Sequence, residues 1–410
     1  MHDTDDAVAR LATRKPAHTL ERAFYTDAEV LDLDFRRIFY RHWLFAVPAC
    51  EIPKAGDFAT LQVGAYPVVV VRGADGAVRA FHNSCRHRGS RLCSATRGSS
   101  PKLVCPYHQW TYELDGRLLF ARDMGPGFDP SAHGLKGVHC EDVGGLIYVS
   151  LAAEAPPIAP FAEAARRYLA PHGLADAKVA FESTIVEEGN WKLVLENNRE
   201  CYHCAGSHPS LCRTFPEAPV ATTADGAGDT AGEAHRARCE GAGLPSRYLA
   251  APDHEWRLMR EPLLRTAKSL TMSGAPAVSR RLGTMPFDDA GSLLLFHYPN
   301  TWNHFLADHA VVFRVLPVAP DRTEVTTKWL VHRDAREGVD YDLERLVEVW
   351  RSTNDEDRRV VEENQRGVAS PAYEPGPYSP VHEEGVVQFV DWYCDAIAGD
   401  PVQPRLEAVG

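Results

Sequence analysis

Residues 196–211 read ENNRECYHCAGSHPSL. The run holds two histidines, His203 and His208, two cysteines, Cys201 and Cys204, and Glu200 three residues before His203. A Cys-x-x-Cys pair argues for zinc or a redox disulfide. A Glu-x-x-His-x4-His run argues for a carboxylate-rich iron site. Helix geometry separates the two readings. Glu200 and His203, three apart, share one helix face. His203 and His208, five apart, point about 140° away from each other on a straight helix. They converge on one ion only if the helix breaks between them. Gly206 and Ser207 permit that break, and Pro209 pushes His208 towards extended backbone. Two imidazoles leave room for one carboxylate, the ligand set of a non-haem iron(II) oxygenase with open positions for O2 and substrate. Cys201 and Cys204 are then expected to be packed, reduced thiols, since a thiolate would soften the site and close the open position.

The third ligand is expected from an amphipathic helix at 340–366. Its apolar stripe runs Leu343, Leu346, Val347, Trp350, then Val360 and Val361. Asp357 lies seven after Trp350 and four before Val361, so it faces inward with that stripe, whereas Asp355 groups with Arg351, Arg358 and Arg359 on the polar side. An inward carboxylate is costly unless it is paired or bound to metal.

Working outward, residues 41–160 read as short strands punctuated by turn pairs such as Asp75-Gly76 and Asp115-Gly116, a small antiparallel β domain. Residues 1–40 read as a helical N-terminal segment. Residues 161–410 mix strands with the long helix, and 219–246, small, polar and glycine-rich, is expected to be a mobile loop. The β domain carries a second metal motif. Cys85 and His87 form one half, Cys105 and His108 the other. Two such halves on two loops can hold a [2Fe–2S] cluster, cysteines on one iron and histidines on the other. A Cys2His2 zinc site needs the same atoms, but its ligands would surround a short helix rather than interrupt strand-and-turn sequence.

Bulk properties exclude other classes. A formal net charge of −12 argues against a nucleic-acid partner. No apolar run reaches the roughly 18 residues that span a bilayer. The N-terminal residues lack the apolar core of a signal peptide, and ten cysteines in 410 residues do not make a disulfide scaffold, so a cytoplasmic protein is expected. No Gly-x-Gly-x-x-Gly follows a strand, so NAD(P)H is expected to act only through a separate flavin- or ferredoxin-type reductase.

CRHRG at 85–89, CPYHQW at 105–110 and GNWKLVLENNRECYHCAGSH at 189–208 resemble the two metal motifs of Rieske-type non-haem iron oxygenase α subunits, in the same order. The resemblance implies an α+β chain: an antiparallel β Rieske domain, then a helix-grip-like catalytic domain, in a homotrimer. It implies a [2Fe–2S] cluster on Cys85, His87, Cys105 and His108, and mononuclear Fe(II) on His203, His208 and Asp357. It also implies that Glu200 bridges the iron site electronically to the Rieske histidines of a neighbouring subunit. Within the family, ENNRECYHCAGSHP, FHYPNTWNHFLADH and PAYEPGPYSP look like the glycine betaine and proline betaine monooxygenases. That implies O2-dependent N-demethylation of a quaternary ammonium compound, glycine betaine before proline betaine, with hydroxylation or O-demethylation of an aromatic substrate, or a non-enzymatic Rieske electron carrier, as alternatives. Phe296, Tyr298, Trp302 and Phe305 are candidate cation–π contacts for the ammonium.

Overall fold

The computed structural model describes residues 2–216 and 230–399. They form two compact units. One is made of 35–160; the other is discontinuous and made of 1–34 and 161–399.

The 35–160 unit is antiparallel throughout. A seven-stranded sheet runs Leu44–Pro48, Leu146–Ser150, Gly137–Val143, Val78–His82, Tyr66–Arg72, Asp57–Val63, Arg97–Ser99, and a three-stranded sheet runs Leu103–Val104, Thr111–Tyr112, Leu118–Phe120. The expected turn pairs close two hairpins: Gly76 takes φ +82° and Gly116 φ +92°, a region glycine enters without steric cost.

The discontinuous unit is built on a second seven-stranded antiparallel sheet, in the order Ala177–Glu187, Arg322–His332, His309–Ala319, Thr301–Phe305, Ser292–His297, Trp256–Glu261, Leu249–Ala250. The long helix runs Leu343–Val368, its first turn capped by the Asp342 carboxylate accepting from the Arg345 N–H at 2.9 Å. It packs on the sheet: the Trp350 ring meets His304 at 4.5 Å and Phe313 at 5.1 Å, and Asn354 donates to Thr327 at 2.9 Å. The expected apolar stripe is buried at Leu346, Val347, Trp350 and Val361, while its members Leu343 and Val360 are only half-buried.

The N-terminal helices are not a segment of their own. Asp34 is fully buried, where it accepts from Lys192 Nζ at 2.6 Å, Trp191 Nε1 at 2.8 Å and the Tyr393 hydroxyl at 2.8 Å. Tyr25 and Tyr378 donate to the buried Glu196 carboxylate at 2.8 and 3.0 Å. These contacts tie Ala28–Asp34 to the helices Trp191–Asn198 and Glu384–Ala398, and so support the segment that leads into the His203 motif. Removing one member of a buried ion pair strands the other charge. Asp34→Ala is therefore expected to cost about 3–5 kcal/mol in urea unfolding, with the double change Asp34→Leu/Lys192→Met recovering much of it. Equal losses in the single and double variants would show that the charge pair is not what matters.

Part of the expected mobile loop is ordered. Residues 219–229 lie outside the described residues, but Thr230–Gly241 is an α-helix. Its alanine, glutamate and arginine residues are good helix formers. Cys239 buries against Leu244, Met285, Ala290 and Ala307, and Arg238 pairs with Asp289 at 2.8 Å. One of that loop's glycines, Gly243, is the helix stop: it takes φ +79° while the Leu244 N–H reaches back to the Cys239 carbonyl at 2.9 Å.

Candidate metal centres and the cavity between sheet and helix

The helix Trp191–Asn198 starts at an Asn190 cap and ends before the metal motif. A single turn, Cys204–Ser207, follows, with His203 at its start and His208 at its end. The break between the histidines thus differs from expectation. Gly206 stays helical, and the turn stops at His208, where backbone of φ −119° and ψ 68° satisfies the steric demand of Pro209. Glu200 is not on a shared helix face with His203. Its Oε2 accepts from the Tyr202 and His203 N–H groups, which starts the turn, and its Oε1 lies 2.5 Å from His203 Nδ1.

This turn and the long helix bring three donor atoms together. His203 Nε2 and His208 Nε2 are 2.9 Å apart, and Asp357 Oδ1 lies 3.0 Å from the second and 3.4 Å from the first. Edges near 3 Å are those of three ligands held at about 2.1 Å from one ion with bonds near right angles. Burial lowers the affinity of His203 for a proton, but Asp357 and Glu200 outweigh it and hold the imidazole up to about 9. His208 is raised in the same way by Asp357 and Glu356, while the two histidines keep Asp357 low despite its burial. The cluster is a concentrated anionic pocket whose protons a cation would replace. Asn197 Nδ2 also approaches His203 Nε2, at 3.3 Å. Cys204 places its sulfur near the two histidines, but Cys201 and Cys204 are joined in a disulfide, contrary to the expected free thiols. The turn brings their Cα atoms to 4.9 Å, inside the range a disulfide spans. No thiolate is therefore offered to the site.

The Cys85 and Cys105 loops share one backbone plan. Each cysteine N–H donates to a carbonyl five residues on, Ser90 or Trp110, at 2.8 Å, and each cysteine carbonyl accepts from a residue at positive φ, Gly89 at 2.9 Å or Gln109 at 3.1 Å. The two thiols are buried, and the His87 and His108 rings stand 4.7 Å apart. His87 stacks on Trp110 at 4.9 Å, and its buried Nδ1 has no partner. The Tyr112 hydroxyl sits 3.3 Å from Cys85 Sγ and accepts from the Arg86 N–H at 3.0 Å. Burial holds the Cys85 thiol up and the His108 imidazole down, the latter with help from Arg88 and His87. Two thiols and two imidazoles on matched loops, one nitrogen lacking a donor or acceptor, fit a cluster ligated by sulfur on one iron and nitrogen on the other.

Residues 174–399 match the ring hydroxylating alpha subunit (catalytic domain) family, and residues 42–132 the Rieske [2Fe–2S] domain. The chain belongs to the Rieske oxygenase α subunits. This α subunit therefore carries a Rieske [2Fe–2S] cluster and a mononuclear iron. It is 51% identical to a glycine betaine monooxygenase oxygenase subunit of Chromohalobacter salexigens, over 98% of this chain and 92% of that protein. It is 49% identical to one of Pseudomonas aeruginosa, over 94% and 90%. A crystal structure of a quaternary ammonium Rieske monooxygenase in complex with L-carnitine superposes with a TM-score of 0.71 at 23% identity, covering 95% of this chain and 98% of that one; at that identity the likeness is one of fold.

In this α subunit the three donor atoms line a cavity of about 140 Å³. Its sheet wall comes from one face of three strands: Arg257 and Glu261, Leu294 and Phe296, and His304. Arg257 is the cross-strand partner of Phe296, and Leu294 of His304. Trp350 and Phe215 add rings beside His304, which burial, helped by His309, pushes down to about 3 and keeps neutral. Of the four expected aromatic contacts, Phe296 lines this cavity. Trp302, on the same face, borders a smaller void beside Asp357. Tyr298 is buried behind Arg199, accepting from its Nε, and Phe305 points to the other face against His172 at 5.7 Å. Strand alternation explains the split: Phe305 pairs with Leu293, one residue out of phase with the wall.

Glu356 was not singled out by sequence over its neighbours. Its Oε2 lies 2.9 Å from His208 Nδ1, the place Glu200 holds on His203. A carboxylate there orients the ring and makes the other nitrogen a better donor. Glu356→Ala is expected to weaken iron binding by about 10–100-fold in a chelator competition, and Glu356→Gln to recover part of it. Wild-type affinity in Glu356→Ala would remove the positioning role.

Proposed function

We propose that the chain is the terminal oxygenase of a multi-component system that removes one N-methyl group from glycine betaine. The observation that carries the reading is the convergence of His203, His208 and Asp357 on one point of a cavity that opens to solvent. The substrate is supported by the two relatives at about half identity over nearly the whole chain, both of them glycine betaine monooxygenase oxygenase subunits. His203, His208 and Asp357 hold the iron; Cys85, His87, Cys105 and His108 hold the cluster. When bound, the cluster supplies single electrons and the iron activates O2.

The balance is that of a monooxygenation. One N-methyl C–H becomes C–OH, and the second oxygen atom leaves as water with two electrons and two protons. The resulting hemiaminal releases formaldehyde, its hydroxyl proton goes to solvent, and the C–N electron pair stays on nitrogen as the tertiary amine dimethylglycine. The electrons come from NADH or NADPH through a separate reductase. Glu200 fixes His203 through Nδ1 and is the bridge to the cluster histidines of a neighbouring subunit in a homotrimer. Leu294, Phe296 and Trp350 exclude water from the methyl group. Among the described residues no helix is long and apolar enough to cross a membrane, and the enzyme is read as cytoplasmic. The test is reconstitution with a reductase, NADH and O2. Formaldehyde and dimethylglycine should appear one to one; uptake of O2 without either product would reject the reading.

A further inference from the structure

We propose that Arg199 and Arg257 form the anchor for the substrate's carboxylate, so that the cavity selects N-methylated ammonium compounds that carry an anionic group; this rests on the reading of function given above.

Both guanidinium groups line the cavity and both lie against one ring, Arg199 at 4.5 Å and Arg257 at 4.4 Å from the Phe296 centroid. Arg199 is 4% exposed, and its Nη1 is buried without a partner while its Nε is held by Tyr298. Neither arginine forms an ion pair with a carboxylate among the described residues. Burial first, and the charge of Arg199 next, lower Arg257 to about 9. Two like charges on one ring, with Glu384 the one carboxylate whose charge offsets Arg257 from outside the cavity, are costly to keep away from water. The carboxylates of the cavity do not relieve that cost. Asp357 and Glu200 face the histidines, and Glu261 faces Arg236 at 3.4 Å.

A planar carboxylate matches the guanidinium fork and accepts at two oxygens. The other end of a betaine offers no hydrogen-bond donor at all, so rings such as Trp350 and Phe215 can hold it only by cation–π and apolar contact. The carboxylate is therefore the only handle by which polar groups can orient the molecule. The same pair of positive charges repels a plain tetraalkylammonium ion. A site built to hydrogen-bond one substrate group discriminates strongly against analogues that lack it.

The test uses the loaded enzyme with its reductase. Glycine betaine is compared with its methyl ester and with choline, in the wild type, Arg257→Gln and Arg257→Lys, with the colour of the cluster and the iron content confirming an intact fold. Arg257→Gln should raise KM for glycine betaine by about 10–100-fold with little change in kcat, the signature of lost ground-state binding to a charged partner. Arg257→Lys should fall between, keeping the charge and losing the fork. The preference for glycine betaine over its ester should shrink in the glutamine variant. An unchanged KM in Arg257→Gln, or wild-type turnover of the ester as fast as of glycine betaine, overturns the anchor. Absence of formaldehyde from glycine betaine in the wild type would instead strike the reading of function. Calorimetric binding of glycine betaine against its ester then decides the anchor alone: tighter binding of the acid upholds it, equal binding overturns it.

Discussion

Asp357→Ala should yield a protein that keeps the colour of its [2Fe–2S] cluster, contains no mononuclear iron and makes no formaldehyde above background. Asp357 Oδ1 is the only carboxylate oxygen within 3.4 Å of both histidine Nε2 atoms among the described residues. Without it two imidazoles, 2.9 Å apart, remain. Two neutral nitrogens hold a divalent cation far less well than two nitrogens and an anion. Loss of an outer partner of a ligand already costs about 10–100-fold in affinity, so loss of the ligand itself should exceed that range. His208→Ala should behave alike. Cys201→Ser and Cys204→Ser should retain iron, since the disulfide keeps either sulfur from serving the centre as a thiolate. Iron per chain and visible absorbance decide the matter together. Iron kept in Asp357→Ala but lost in Cys204→Ser would reverse the assignment.

Glu200→Gln should keep both metals and slow single-turnover oxidation of a pre-reduced cluster, with substrate and O2 present, by about 100-fold, on the scale of lost outer-shell partners. The geometry gives the reason. One carboxylate oxygen meets His203 Nδ1 at 2.5 Å while the other serves the Tyr202 and His203 N–H groups. An amide has one acceptor oxygen. It satisfies the imidazole or the backbone, not both, and carries no charge to strengthen either bond. With the carboxylate gone, His203 loses one of the two acids that hold it near 9, so bound iron also sees a less basic nitrogen. Reduction of the cluster by dithionite should proceed as in the wild type. Full iron content with an unchanged single-turnover rate would remove Glu200 from the electron path.

The metal motifs were legible because each rests on local spacing. Cys85 and His87, or Cys105 and His108, fall on one short loop whatever the rest of the chain does. Asp357 was legible one step further away, because the phase of a 26-residue helix is fixed by its own apolar stripe. Partnership across strands was not. Phe296 faces the cavity and Phe305 does not because of the pairing between Ser292–His297 and Thr301–Phe305, and a shift of one residue would have put both rings on the same face. Arg257 and Glu261 were missed for the same cause, although charges spaced by four in the buried strand Trp256–Glu261 are a readable anomaly. Thr230–Gly241 was missed because its packing against Met285 and Ala307 comes from far along the chain. The position of the break at His208 was set by Pro209, which outweighed the glycine at 206.

Asp34 and Lys192, a buried pair, are separated by 158 residues. A ribosome adding about 5–20 residues per second delivers the second of them roughly 8–30 s after the first. In that interval the 35–160 unit receives all of its strands, the last being Leu146–Ser150. The helix Ala28–Asp34, with Val30, Leu31 and Leu33, meanwhile lacks the later helices Trp191–Asn198 and Glu384–Ala398 to which Asp34 ties it. Birth order thus sets a sequence of loading: the cysteine and histidine loops are complete, and open to cluster delivery, while Asp357 has yet to be translated. A nascent chain stalled near residue 180 should already accept iron and sulfide, yet still offer its leading helices to a chaperone.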